Sequence, residues 1–156
     1  MIKIQVQKLT EEAFRPFGSV ITTKGRSYGG QDGVFRWYEK QAAIEGAQTV
    51  SINLLTAIAR DFLFDRFEAH ARTTETILPL TGGVIVVGMP VGEANVEQLQ
   101  AFYVPVGEGV CWDAGAWHYA PYPLGEDTLC AVIFRHGTGG DDAVFFDLEH
   151  PMGLEL

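Results

Sequence analysis

Two short segments hold most of the side chains in this sequence that are suited to chemistry. The first runs Glu68-Ala69-His70, then Glu75 and Gly82, and the second runs Gly107, Asp113, Gly115 and His118. Imidazoles together with carboxylates suit a first-row divalent ion such as Mn, Fe, Co, Ni or Zn. Ligands drawn from two separate hairpins can surround one ion and leave positions open for water or substrate. A carboxylate or imidazole left unligated can move a proton.

Spacing places these groups. Alternate side chains of a strand share a face, so Glu68, His70 and Arg72 are expected on one side and Phe67, Ala69 and Ala71 on the other. The turn at Thr73-Thr74 brings Glu75 back toward the same opening. Asp113 and Gly115 are turn residues, and His118 opens the strand that follows with its ring inward. Glu68 either ligates or pairs with Arg66 or Arg72, and Glu75 either ligates or serves as a base. Arg72 is the expected counter-charge for an anionic substrate, and Ser51, Asn53, Tyr103 and Trp117 are expected pocket-lining residues.

The elements that position these residues are short and mostly extended. Ile2–Val6 alternates as a first strand. Thr10 then caps a short helix whose first turn holds Glu11 and Glu12, where the helix dipole favours acids, and Pro16 and Gly18 end it. Apolar runs punctuated by glycine predict strands over 20–22, 49–55, 62–72, 76–80, 84–89, 99–104, 109–112, 129–134 and 144–146. In the 49–55 run, Val50, Ile52 and Leu54 share one face and Ser51 and Asn53 the other. The glycine-rich stretch 25–33 precedes no helical pattern and is read as a loop, and 93–98 is a weak helical or turn candidate. Many short strands and at most two short helices favour a closed or double-sheeted β architecture.

Composition excludes several classes of function. The 156 residues carry a formal net charge of −9, which argues against binding nucleic acid or an anionic membrane. The N-terminal stretch lacks the features of a secretory signal, and no apolar run approaches the length of a membrane helix. Cys111 and Cys130 sit in apolar strand-like segments and are expected as free thiols in a reducing cytoplasm. With 47% hydrophobic residues, the chain has enough for one domain with a packed core.

The spacing resembles the two cupin motifs. In the first, H-x-H followed after three or four residues by E and after six more by G, Glu68 stands for the first histidine, with His70, Glu75 and Gly82 in the remaining places. In the second, G-x5-P-x-G-x2-H, Gly107, Gly115 and His118 fit, and Asp113 replaces the proline. More specifically, the chain resembles the ureidoglycolate lyase (ureidoglycolate hydrolase) family of allantoin degradation. The resemblance rests on Leu9-Thr10 through Phe14, Pro16-Phe17-Gly18 and Val20-Ile21, then Ser51-Ile52-Asn53, Glu68-Ala69-His70, Pro79, Gly109-Val110 and Trp117-His118. The family often has glutamine where Glu75 stands and a second histidine where Tyr119 stands.

The resemblance implies an all-β, cupin-type double-stranded β-helix (jelly-roll) barrel with one or two short helices, spanning 1–156 as a single domain. It implies metal-assisted release of urea and glyoxylate from ureidoglycolate, a small anionic ureide. Glu68, His70, Glu75 and His118 would hold a divalent metal (Ni, Mn or Zn), and His118, Glu75 and Arg72 would carry catalysis. Ser51, Asn53, Arg72, Tyr103 and Trp117 would bind substrate. A homodimer is expected, with Phe62, Phe64 and Phe67 or the N-terminal strand as its surface. The alternatives are a cupin enzyme acting on another small ureide or a sugar-like substrate, and a small-molecule-binding cupin without catalysis.

Overall fold

The computed structural model describes every residue except Tyr28, Asp32 and Ala47, so two positions of the glycine-rich loop expected over 25–33 lie outside the described residues. The strands are β1 (Lys3–Lys8), β2 (Gly18–Ile21), β3 (Gly30–Gln31), β4 (Arg36–Trp37), β5 (Val50–Ala57), β6 (Leu63–Ala69) and β7 (Glu75–Pro79), followed by β8 (Val84–Met89), β9 (Gln100–Val104), β10 (Gly109–Trp112), β11 (Trp117–His118), β12 (Tyr122–Pro123), β13 (Thr128–Arg135) and β14 (Val144–Glu155). Among the described residues, helices are confined to α1 (Glu11–Phe14), α2 (Thr138–Asp141) and one 3₁₀ turn at Val96–Gln98. α1 begins as its sequence demands: the Thr10 hydroxyl accepts from the Ala13 N–H at 3.1 Å, and Glu11 and Glu12 occupy the first turn.

The strands form two main sheets. The larger has the order β11-β6-β14-β1-β9-β8-β12, and an added β11–β8 pairing closes six of its strands into a barrel. β1 runs parallel to both β14 and β9, and the other pairings of the barrel are antiparallel. The smaller sheet has the order β2-β10-β7-β13-β5, with β5 at its edge, and β3 and β4 form a separate short hairpin.

This arrangement makes two cores. Phe64, Phe67, Ile85, Val87, Met89, Ala101 and Leu154 fill the six-stranded barrel. The alternate residues of β8 and β9, Val84, Val86, Phe102 and Val104, face the smaller sheet and pack against Val20, Ile77, Val110, Trp112 and Val132, with Phe14 and Phe17 from α1 and its exit. Phe64 and Phe67 are therefore buried in the barrel and supply no dimer surface, contrary to the sequence expectation. In β5 the polar Ser51 and Asn53 turn inward, whereas Val50, Ile52 and Leu54 face solvent.

Candidate metal and active site

The site lies where the two sheets meet. His118 on β11 pairs in register with Glu68 on β6 on one side and with Gly88 on β8 on the other. A Cβ at Gly88 would fall 2.2 Å from the Trp117 carbonyl oxygen and 2.9 Å from the Trp112 ring, so glycine is what lets these strands close beneath the histidine. Glu75 opens β7 in the smaller sheet, opposite Trp112 of β10. His70 stands one residue beyond the end of β6.

Ligand atoms of Glu68, His70 and His118 lie within 4.8 Å of one another. His70, Glu75 and His118 are all buried. One Glu75 oxygen, Oε2, lies 2.9 Å from His70 Nε2 and 3.5 Å from His118 Nε2. The other ring nitrogen of each histidine faces a main-chain carbonyl, His70 Nδ1 at 2.5 Å from Asp142 O and His118 Nδ1 at 3.1 Å from Ala116 O. With Nδ1–H donating there, each Nε2 is turned toward the centre of the cluster. Among the described residues, His118 Nε2 is buried and makes no hydrogen bond, although the Glu75 oxygen stands 3.5 Å away. A buried imidazole nitrogen whose hydrogen-bonding capacity is unmet is costly unless something binds it, and a divalent ion held by these side chains would meet that need.

Electrostatics follow from the same contacts. Burial alone pulls the His70 imidazolium down, but the hydrogen bonds to Glu75 and to the Asp142 carbonyl, with the charges of Glu75 and Glu68, outweigh it and lift His70 to about 9. Burial pushes Glu75 up, but the two histidines beside it prevail and hold its carboxyl well below the usual range. Without metal, a buried carboxylate and an imidazolium thus balance each other.

Aromatic rings build the walls. Trp112 stacks on His118 with ring centroids 5.3 Å apart and planes 16° apart, and Phe134 lies 6.1 Å from the His70 ring. Ser51 is the register partner of Phe134 and Asn53 that of Val132, both on the inward face. The Ser51 hydroxyl is 2.7 Å from His136 Nδ1, and the Asn53 amide donates to the Val132 carbonyl at 3.2 Å.

Three expected residues are not brought into this cluster. β6 ends at Ala69, so the alternation that was to place Arg72 beside His70 stops short, and Arg72 points outward toward Asp141 at 3.6 Å. Tyr103 lines an apolar groove with Val6, Ile85, Leu124 and Leu156, away from the histidines. Trp117 packs in the barrel against Phe146, its indole N–H donating to Gly92 O at 2.9 Å, while its neighbour His118 turns to the other face. Period-two alternation from His118 was the available signal that Trp117 faces away. Phe134 and Asp142 come from a strand and a loop distant in sequence and carry no motif signal, while Trp112, six residues before His118, reads from its type alone as core or pocket wall.

A two-sheet β fold with a buried glutamate and two histidines where the sheets meet is that of a cupin. Comparison with known proteins narrows the class. The profile of the family described as ureidoglycolate lyase matches residues 1–154. The chain belongs to the ureidoglycolate lyase family. Among its relatives, proteins named ureidoglycolate lyase from Stutzerimonas stutzeri and Pseudomonas aeruginosa are each 30% identical over 99% of this chain, covering 96% and 97% of their own lengths. One from Azotobacter vinelandii is 31% identical over 92% of each chain. Solved structures of Bacillus subtilis oxalate decarboxylase align with 64% of this chain and 24% of theirs, at 18% identity and a TM-score of 0.44, too distant to carry an argument about function.

Proposed function

We propose that this protein cleaves ureidoglycolate to glyoxylate and urea with the help of a divalent metal. One observation carries the reading: two buried imidazoles and Glu68 converge within 4.8 Å, with the Glu75 carboxylate against both rings. The full-length family match supplies the substrate.

The substrate carries a carboxylate and a hydroxyl on the carbon that bears the urea nitrogen. Cleavage removes the hydroxyl proton, forms the carbonyl, breaks the C–N bond and protonates the departing nitrogen, so no water is consumed. Glu68, His70 and His118 would hold the metal (Ni, Mn or Zn), with Glu75 either a fourth ligand or the proton carrier. When bound, the metal supplies positive charge for the carboxylate and lowers the pKa of the hydroxyl. Where Glu75 is not a ligand, its carboxylate accepts the hydroxyl proton and returns it to the leaving nitrogen. Trp112 holds the His118 ring plane, and Trp112 and Phe134 keep water away from the histidines. Arg72, directed outward to Asp141, is not placed beside the histidines to meet the substrate carboxylate.

The test is direct. Purified protein reloaded in turn with Ni, Mn or Zn and given ureidoglycolate should release urea and glyoxylate in equal amounts. No release above background with any of the metals rejects the reading, and turnover of a different ureide or a sugar derivative redirects it.

The same reading places the protein in the cytoplasm, in keeping with two buried free thiols. Among the described residues, no helix is long and apolar enough to cross a membrane. We also infer that two copies pair through the outer face of the smaller sheet. Val50, Ile52, Leu54 and Ile58 of β5 and the residues after it are exposed there, beside Ile133 of β13 and Leu80 after β7. Ile52 is 77% and Leu54 69% exposed. The outward positions of β5, β7 and β13 carry no charge except Arg135 at one end. A contiguous exposed apolar face of this kind is a common mark of a protein–protein contact. It would form the apolar centre of an interface of roughly 800 Å² per partner. In a chain of net charge −9, a neutral face is where two copies can meet without repulsion.

A further inference from the structure

His70 is the one cluster residue outside regular structure, since β6 ends at Ala69. Something other than the ladder must fix it. The Gly115 N–H donates to the His70 carbonyl at 2.7 Å, tying it to the turn before β11. Apart from the Glu75 carboxylate at Nε2, the remaining polar restraints converge on one residue. The Asp142 carboxylate accepts from Ala71 N at 3.0 Å and from Arg72 N at 2.9 Å, one oxygen to each, while its main-chain carbonyl faces His70 Nδ1 at 2.5 Å. Asp142 is 6% exposed. A buried carboxylate receiving two main-chain N–H groups is held by charge-assisted bonds, stronger than neutral ones.

The element that carries Asp142 is itself anchored. Gly137, with φ of 85°, turns the chain out of β13 into α2. The Thr138 hydroxyl, fully buried, donates to Arg135 O at 2.7 Å, and Asp142 N–H donates to Thr138 O at 2.9 Å. On the outer side, Asp141 pairs with Arg135 and Arg72. One helical turn between β13 and β14 thus reaches across to the end of β6.

We propose that Asp142 is the positioning residue for His70. Its carboxylate pins the 71–72 backbone to the α2 turn, and this holds the Asp142 carbonyl against Nδ1, so that Nε2 is aimed at Glu68 and His118. Asp142 touches neither substrate nor metal and acts through His70. The inference deepens the metal-site reading by assigning the group that orients one ligand, and its test does not need turnover.

Asp142→Ala, Asp142→Asn and Asp141→Ala are compared with the wild-type protein by two readouts. The first is imidazole NMR, following the His70 Nδ1 proton. It should be a protected, downfield resonance in the wild type, exchange-broadened in Asp142→Ala, and intermediate in Asp142→Asn, which keeps one acceptor oxygen. The second is Zn²⁺ affinity by chelator competition. It should weaken about 10–100-fold in Asp142→Ala, less in Asp142→Asn, and less than about 2-fold in Asp141→Ala, which breaks only the outer pairs. Thermal melts of the metal-free proteins report whether each variant folds, and Asp142→Asn serves if the alanine variant does not. A folded Asp142 variant that keeps the protected Nδ1 proton and wild-type Zn²⁺ affinity overturns the proposal, as does an equal loss in Asp141→Ala. If the wild type binds no Zn²⁺ but the Nδ1 proton behaves as stated, the metal reading fails and the positioning role stands.

Discussion

At the scale of single residues, the site is a balance of two histidines against one buried carboxylate, and its response to pH has a definite sign. Glu75 is held below its ordinary 4.5, so its contribution to stability is present above that pH and is lost as the pH falls below it. His70 is raised from 6.5 to about 9, so its contribution is complete below 6.5 and is lost as the pH climbs toward 9. The metal-free protein should therefore lose melting temperature from pH 6.5 to 9 through this pair. Metal binding requires a neutral imidazole, so metal affinity should rise over the same interval. Thermal melts at pH 6 and pH 9, with and without Zn²⁺, check both signs. A metal-free melting temperature that climbs with pH contradicts the pairing. Glu75→Gln installs the residue the family often has there and keeps the shape, so it separates the two roles open to Glu75: a fall in urea release of about 10²–10⁴-fold with unchanged circular dichroism marks the proton carrier. Wild-type turnover in that variant would take Glu75 out of the chemistry.

At the scale of elements, the two histidine-bearing segments were legible because their spacing is local: strand, turn and strand each obey rules readable within a dozen residues. The Thr10 cap of α1 was legible for the same reason. What escaped depended on distant partners. Arg72 was expected on the His70 face because the run from Phe62 looks uniformly extended, but Asp142, seventy residues on, takes the Ala71 and Arg72 N–H groups and ends the strand. The full length of β14 was hidden because the register against β6 shifts between Asp147 and Met152, around Pro151, breaking the alternation. Alternation in β5 separated Ser51 and Asn53 from Val50, Ile52 and Leu54, but a pattern does not say which face is inward. Trp112 has a consequence at this scale, being 1% exposed and packed between Phe14, Phe17 and His118. Trp112→Ala should cost about 3–5 kcal/mol, read by denaturant unfolding. A cost below about 1 kcal/mol would mean the stack supports neither core nor site.

At the scale of the whole molecule, the all-β, double-sheeted architecture was legible from many short strands between glycines. The strand pairings that close the six-stranded barrel, and its separate core, were not, because they depend on the parallel pairings of β1 and on the β11–β8 contact, which join segments far apart in the chain. The consequence is that β8 is buried on both faces and forms a wall behind the site. The outer face of the smaller sheet predicts a dimer. Light scattering should give twice the 17.1 kDa chain mass, and Ile52→Lys with Leu54→Lys should return the monomer. A wild-type monomer at micromolar concentration would refute that surface. The central claim is that the buried histidines and Glu68 are a metal centre that cleaves ureidoglycolate, and His118 is the residue it can least spare. The decisive measurement pairs bound metal with urea released from ureidoglycolate, for wild-type and His118→Ala protein prepared alike. The account predicts about one metal per chain and steady urea release in the wild type, with both lost in a folded His118→Ala. Urea release that persists unchanged in His118→Ala would contradict it.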